Sequence, residues 1–340
     1  MVPAVAIEPW SAAREGDVAA LVAAHPEGLI YYTPAFRRYL LAVAGGECRS
    51  RVAVEDGLVT GVLPLLALAG PHGVVLNSLP FFGSNGGILA TTAAAESALL
   101  AEYDREAAGV AVATWISHPF MDTVIPRHTL TDERIAQWTT LGGAELPAGI
   151  ESSARRNVQK ARAEGVTVRE AADALPFLEA THRENMAAIG GRAKPASFFT
   201  ALQVMTAGRD WRLHVAERQG QPLAALLTFE AAKTVEYVMP VVVESARTLQ
   251  PTAAILAAAM ADAAARGFTR WNWGGTWLTQ EGVYRFKKKW GADERRYRYY
   301  ITLNDATLRS RTAADLAAAY PWYFTLPYAS LSPSENGHGH

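Results

Sequence analysis

Three of the six lysines in this 340-residue chain stand together, at Lys287, Lys288 and Lys289. They sit in the run Gly282-Val-Tyr-Arg-Phe-Lys-Lys-Lys-Trp-Gly291, bounded by glycine at both ends. That pattern predicts a short helix of about two and a half turns. At about 100° per residue, Val283, Phe286 and Trp290 fall on one stripe that is expected to pack inward. Arg285, Lys288 and Lys289 point away from the stripe. Lys287 projects only about 40° from Val283 and about 60° from Trp290, which aims its ammonium at the edge of the apolar face. A cation placed there can hold a phosphate or a developing oxyanion, while its neighbours meet solvent or an anionic partner. Lys287 is the leading site residue.

A second basic run, Ala154-Arg-Arg-Asn-Val-Gln-Lys-Ala-Arg-Ala-Glu164, predicts a helix that Ser152 or Ser153 can cap and Gly165 can close in the left-handed conformation. Arg156 and Lys160 share one face at i, i+4, and Arg155 and Arg162 share another. The helix reads either as a solvated connector or as an anion-binding surface. In the strand pattern around Trp271-Asn-Trp273, the tryptophans suit a core and Asn272 a cleft. The turn Gly83-Ser84-Asn85-Gly86-Gly87 permits close backbone approach to a ligand. His118, before Pro119, reads as a structural loop residue. The eight histidines are dispersed without metal-ligand spacing, so no metal is expected.

The elements that must position these residues follow a repeated plan. Residues 51–65 read as a hairpin turning at Gly57, and 211–227 as another turning at Gly220. Each is preceded by helical segments, 11–24 and 34–43 in the first half and 172–189 and 197–205 in the second. Each is followed by further strands and an alanine-rich helix, at 93–107 and 252–266. The expectation is an α/β (α+β) fold of two tandem units, each a mixed, mostly antiparallel sheet flanked by helices. The expected boundaries are 1–150, 151–310, and a tail, 311–340, that begins as a helix and ends disordered from 332. Residues 1–150 carry 8 Arg, no Lys and 15 acids, a balance of −7, against +6 for the remainder. The second half is thus the place for a polyanionic partner. Cys48 is the only cysteine, which excludes an internal disulfide. The first 17 residues lack the pattern of a secretory leader, and the apolar run 58–70, broken by Pro64, suits a buried strand rather than a membrane span. A cytoplasmic protein is expected.

Several of these runs, in order, resemble the FemABX family of the GNAT superfamily, which groups peptidoglycan-bridge aminoacyltransferases with related acetyltransferases. They are Asn77-Ser-Leu-Pro-Phe-Phe-Gly-Ser-Asn-Gly-Gly-Ile-Leu89, the basic helix 153–165, Thr181-His-Arg-Glu-Asn-Met186 with Ser197-Phe-Phe199, Trp271-Asn-Trp-Gly-Gly275, and 282–291. The resemblance covers roughly residues 25–305. It implies two GNAT-like domains and transfer of an aminoacyl group from tRNA to an amine of a cell-wall precursor or small metabolite. It also implies that Lys287 stabilises the donor during transfer and that Tyr237 is the motif aromatic of the preceding strand. Two departures stand out. Asn272 occupies a position that is frequently acidic in the family, and the first half has no lysine, leaving Arg37 and Arg38 as substitutes for a substrate-contacting one. Candidate acceptor contacts are Ser84, Asn85, Asn272 and Arg38. Candidate donor contacts are Arg285, Lys288, Arg155, Arg156 and Lys160.

Acyl transfer to an amine passes through a tetrahedral oxyanion and needs a place for that charge. No Ser-His-Asp or Cys-His spacing offers a covalent nucleophile, so direct transfer is expected, with no bound cofactor. CoA-dependent GNAT enzymes cradle a pyrophosphate in a glycine-rich turn at a helix N-terminus. The corresponding stretch here, Ala246-Arg-Thr-Leu-Gln-Pro-Thr-Ala253, has no glycine, and Pro251 removes an N–H. Aminoacyl-tRNA is therefore the preferred donor, held through the basic runs and aromatic stacking. Acyl-CoA is the alternative, and a non-catalytic peptide- or RNA-binding protein is the reading outside enzymes.

Overall fold

The computed structural model describes residues 5–80, 86–121, 124–142, 149–277, 280–327 and 330–331. The chain groups into two compact units, Met1–Ile135 with Arg295–Gly339, and Ala136–Glu294. The stretch 147–151 therefore falls inside the second unit, and the segment from Arg295 onward groups with the first.

The first unit begins with β1 (Ala6–Pro9), α1 (Glu15–Ala24), α2 (Pro34–Ala44), β2 (Glu47–Cys48) and β3 (Arg51–Glu55). It continues with β4 (Leu58–Leu63), β5 (Leu66–Gly70), β6 (Gly73–Asn77), β7 (Leu89–Ala90), α3 (Ala93–Ala108) and β8 (Val112–Ile116). Pro64 splits the long apolar run into β4 and β5, because a residue without an N–H cannot continue a ladder. Thr33 and Thr92 cap α2 and α3, their hydroxyls accepting from the amides of Phe36 and Ala95. β1, β3, β4 and β7 form an antiparallel sheet. β5 pairs with β6 antiparallel, and β6 pairs with β8 in parallel. Leu99 and Tyr103 of α3 pack with Leu76 and Trp115 of the sheet in the core.

β9 (Leu130–Thr140) carries the chain into the second unit, which continues with α4 (Ser152–Ala163), β10 (Thr167–Glu170), α5 (Leu175–Ala188) and α6 (Ala196–Thr200). β11 (Trp211–Arg218), β12 (Gln221–Ala231), β13 (Thr234–Val242), α7 (Pro251–Ala265), β14 (Arg270–Thr276) and α8 (Glu281–Lys288) complete it. β10 to β13 pair antiparallel in sequence order, and β14 then joins β13 in parallel. The 136–140 half of β9 lies beyond β14. Alanines on α7 let its backbone approach the sheet closely, and Ile255, Leu256 and Met260 fill the core with Trp271, Trp273 and Trp290. Each unit thus has an antiparallel hairpin whose last strand meets a parallel neighbour after a helical crossover, through α3 in one and α7 in the other. This is the tandem α/β architecture expected from the repeated pattern.

The chain returns through β15 (Asp293–Leu303) and α9 (Ala313–Ala319). Residues 332–340 lie outside the described residues. The segment after α9 is anchored in the first unit. The Tyr320 hydroxyl donates to Gly73 O at 3.0 Å and accepts from His72 N, and the Tyr323 hydroxyl donates to Gly45 O at 2.9 Å. The Asn77 carboxamide accepts from Phe324 N at 2.8 Å and donates to Phe324 O at 2.9 Å. Asn77, a motif residue by sequence, is thus a structural clamp. A chain ending at residue 310 loses all of these bonds and the buried tyrosines, and is expected to lose about 3 kcal/mol or more of unfolding free energy in urea titrations.

Candidate functional site

Helix α8 is favoured by charges that match its dipole. Glu281 sits in its first turn, and Arg285, Lys287 and Lys288 sit in its last. Glu281 and Arg285 also pair at 3.0 Å across one turn. The expected inward stripe is not what the helix buries. Val283 and Phe286 are 43% and 36% exposed, whereas Lys287 is 4% exposed. Trp290 alone of the three packs in the core, and Phe286 meets Trp273 edge-on with 6.1 Å between ring centroids. A lysine at the edge of the stripe reaches inward because acceptors await it there.

Those acceptors come from the end of β14. The Lys287 Nζ donates to Thr276 Oγ1 at 2.8 Å, to Gly275 O at 3.2 Å, and weakly to Gly274 O at 3.5 Å. Successive carbonyls of a regular strand point in opposite directions, so one amine cannot bind both. Gly274 resolves this with φ +72°, a left-handed conformation that glycine adopts without strain. Thr276 in turn donates to Gln137 Oε1 at 2.9 Å, and Gln137 Nε2 donates to Tyr284 O at 3.3 Å. A parallel set of bonds fixes the tryptophans, since Trp273 Nε1 donates to Thr139 Oγ1 at 2.9 Å and Thr139 donates to Trp290 O at 3.0 Å. Burial pushes the Lys287 ammonium down to about 8. It is still mostly charged at neutral pH.

β13 and β14 are paired from Thr234↔Arg270 to Glu236↔Asn272, although both strands continue beyond that point. The carboxyl ends of parallel strands, where neighbours diverge, are where open α/β sheets receive ligands. Tyr237 is the first residue past the paired stretch. It lies at a bulge against β12, where Leu227↔Met239 gives way to Thr228↔Tyr237. Its ring packs at 5.0 Å from Trp273 and 6.5 Å from Trp271, and burial pushes its hydroxyl well up. Tyr237 is therefore a hydrogen-bond donor at neutral pH and not a base. Asn272 is fully buried and does not line an open cleft. Its Oδ1 accepts from Gly274 N at 3.0 Å, and its Nδ2 has no partner.

The basic candidates divide. Antiparallel bridging of Ile150 to Trp290, and a bond from Glu151 N to Lys289 O at 2.9 Å, tie the start of α4 to the end of α8. Arg155 is half-buried and donates to Ile150 O, and Arg156 is exposed and donates to Ser152 Oγ. Lys160 is exposed and Lys288 half-buried, while Arg285 is exposed with its Glu281 partner. The helix-capping expectation is corrected: Ser152 and Ser153 lie inside α4, whose N-cap is Glu151 without a side-chain bond. Gly165 does close it, at φ +75°. Arg38 is exposed in the first unit and pairs with Glu15, and Ser84 and Asn85 lie outside the described residues. Among the described residues no three His, Cys, Asp or Glu side chains group as a metal site. None of their helices is long and apolar enough to cross a membrane. Sequence reasoning missed Gln137, Thr139 and Thr276. Buried polar residues alternating along a strand were the available signal, without a spacing to connect them to Lys287.

The stretch before α7 is a turn of 3-10 helix, 244–249, followed by Gln250 at φ +58° and Pro251 at the first helical position. The amides of Ala253 and Ala254 are already bonded to Gln250 O. With Pro251 lacking an N–H, few donors remain in that turn for a pyrophosphate.

Comparison with known proteins is consistent with this architecture. Residues 151–288 match the family model described as an acetyltransferase (GNAT) domain. A crystal structure of FemX superposes with TM-score 0.65 at 14% identity, covering 87% of this chain and 97% of that one. The C-terminal domain of a putative lysylphosphatidylglycerol synthetase from Agrobacterium fabrum gives 0.57 at 13% identity, covering 91% and 95%. L-PGS from Bacillus licheniformis gives 0.53 at 13%, covering 84% and 95%. No curated protein sequence matches the chain. At these identities the likeness concerns the fold alone, which the chain shares with these structures over most of its length, while the match to a GNAT domain spans residues 151–288.

A lysine held near 8 when folded and at its ordinary value when unfolded binds fewer protons in the native state between those limits. Its stability contribution is therefore least favourable at neutral pH and improves as pH rises from about 8 to about 10.5. Lys287→Met removes this dependence. The unfolding free energy of the variant minus that of the parent is expected to fall by about 3 kcal/mol between pH 7 and pH 10.5, measured by urea titration at each pH.

Proposed function

We propose that the chain is an N-acyltransferase that moves an aminoacyl group, from aminoacyl-tRNA, onto an amine of a cell-wall precursor or small metabolite. The observation that carries this reading is a buried Lys287 ammonium bound only by neutral acceptors at the diverging ends of β13 and β14. A desolvated cation with no carboxylate partner favours an arriving negative charge more strongly than a solvated one does. In the proposed reaction the acceptor amine attacks the ester carbonyl of the donor, and Lys287 stabilises the oxyanion. The C–O bond to the tRNA ribose then breaks, and the proton lost by the amine ends on the departing hydroxyl. Tyr237, held protonated by burial, donates a hydrogen bond to that oxygen. Phosphates of the acceptor end meet Arg155, Arg156 and Lys160 on α4 with Arg285 and Lys288 on α8, a pairing favoured by the bonds that join the two helices. A tRNA substrate implies a cytoplasmic setting.

Acyl-CoA is the second donor, and the poverty of free amides before α7 counts against it. In a complete reaction, ribonuclease is expected to abolish product formation, whereas a CoA-dependent reaction would persist and overturn the tRNA reading. Lys287→Met is expected to lower turnover on the order of 100-fold or more while the circular dichroism spectrum is retained. Undiminished turnover would remove Lys287 from the chemistry.

A further inference from the structure

Thr276 touches Lys287, and a hydroxyl can either donate to a lysine nitrogen or accept from it. The choice matters, because accepting favours the ammonium and donating favours the neutral amine. Gln137 makes the choice. Its Nε2 faces Tyr284 O, a carbonyl that can only accept, so the orientation of the carboxamide is fixed and Oε1 is turned to Thr276. The Thr276 proton goes to that oxygen at 2.9 Å, which leaves only lone pairs for Nζ at 2.8 Å. We infer that Gln137, fully buried on β9, is a positioning residue that keeps Lys287 an ammonium by accepting the hydrogen bond of the Thr276 hydroxyl.

The surroundings leave this task to Gln137. On α8, Glu281 is engaged with Arg285, and Tyr284 is bonded to Glu294. Lys288 and Lys289 add only positive charge. β14 carries one ionisable residue, Arg270, at its opposite end, β13 contributes Glu236 and Tyr237, and residues 136–140 of β9 carry none. Burial is the force acting on Lys287, and it acts against the charge. A shell made entirely of acceptors opposes it. Without Gln137 the hydroxyl is free to turn its proton toward Nζ, and the balance moves to the neutral amine.

The consequence for catalysis rests on the proposed function, but the protonation state can be read without any substrate. The full chain, labelled with 13C-lysine, is titrated by NMR; with only six lysines, the Lys287 signal is the one missing from Lys287→Met. The parent midpoint is expected near 8. Gln137→Leu is expected to lower it by about one pH unit or more, and so is Thr276→Val, which keeps the shape and removes the acceptor; Thr276→Ser should restore the parent midpoint. An unchanged midpoint in Gln137→Leu overturns the inference. Should that variant fail to fold, an unchanged midpoint in Thr276→Val overturns it equally. If the midpoints move as expected but Lys287→Met keeps its turnover, the proposed function fails and the role of Gln137 stands.

Discussion

An ammonium buried without a counter-ion is the constraint around which the second unit is arranged. Removing Lys287 from water is costly, and no carboxylate among the described residues offsets it. The offset comes instead from two carbonyls and a hydroxyl presented on one side of a strand end, and each needs its own support. Gly274 supplies the turn that brings the carbonyls round, and Gln137 orients the hydroxyl. The tryptophans on β14 and after α8 are pinned by Thr139 so that helix and strand keep their spacing. A fixed carboxylate would have made a more stable protein with a neutralised site.

The sheet explains why this site falls where it does. Parallel strands joined by a helical crossover need not stay paired along their whole length, because no hairpin ties their far ends together. β13 and β14 use that freedom after Asn272, and the bulge at Tyr237 turns β13 further at the same level. A cation, a protonated phenol and an unpartnered carboxamide donor are thereby gathered at one end of one strand pair. None of the three is a nucleophile or a base at neutral pH. The arrangement suits stabilising charge that develops on a substrate.

Much of this was legible in the residues. Hairpin turns at Gly57 and Gly220 and the alanine-rich helices repeat at matching places, and the units they predict are present. Lys287 stood out because a glycine-bounded helix placed it beside apolar positions, yet the reason for its burial was read incorrectly. The wheel assigned the interior to Val283 and Phe286, whereas the interior is set by what faces the helix, and there backbone carbonyls wait. The network through Gln137, Thr276 and Tyr284 joins residues as far as 147 positions apart, and no local pattern encodes such a meeting. The repeat places a boundary near residue 150 but carries no signal that the segment from Arg295 onward packs with the first unit, which long-range contacts decide.

The anchoring of Tyr320, Tyr323 and Phe324 sets an order for synthesis. The second unit is one unbroken stretch, so all of its strands are synthesised before translation reaches the tyrosines. The first unit, begun earliest, is finished last, because β6 and the glycines at 45 and 73 wait for partners near the carboxyl end. Nascent chains stalled before that point hold a completed second unit and an unfinished first one, and the unfinished unit is where chaperones would be needed.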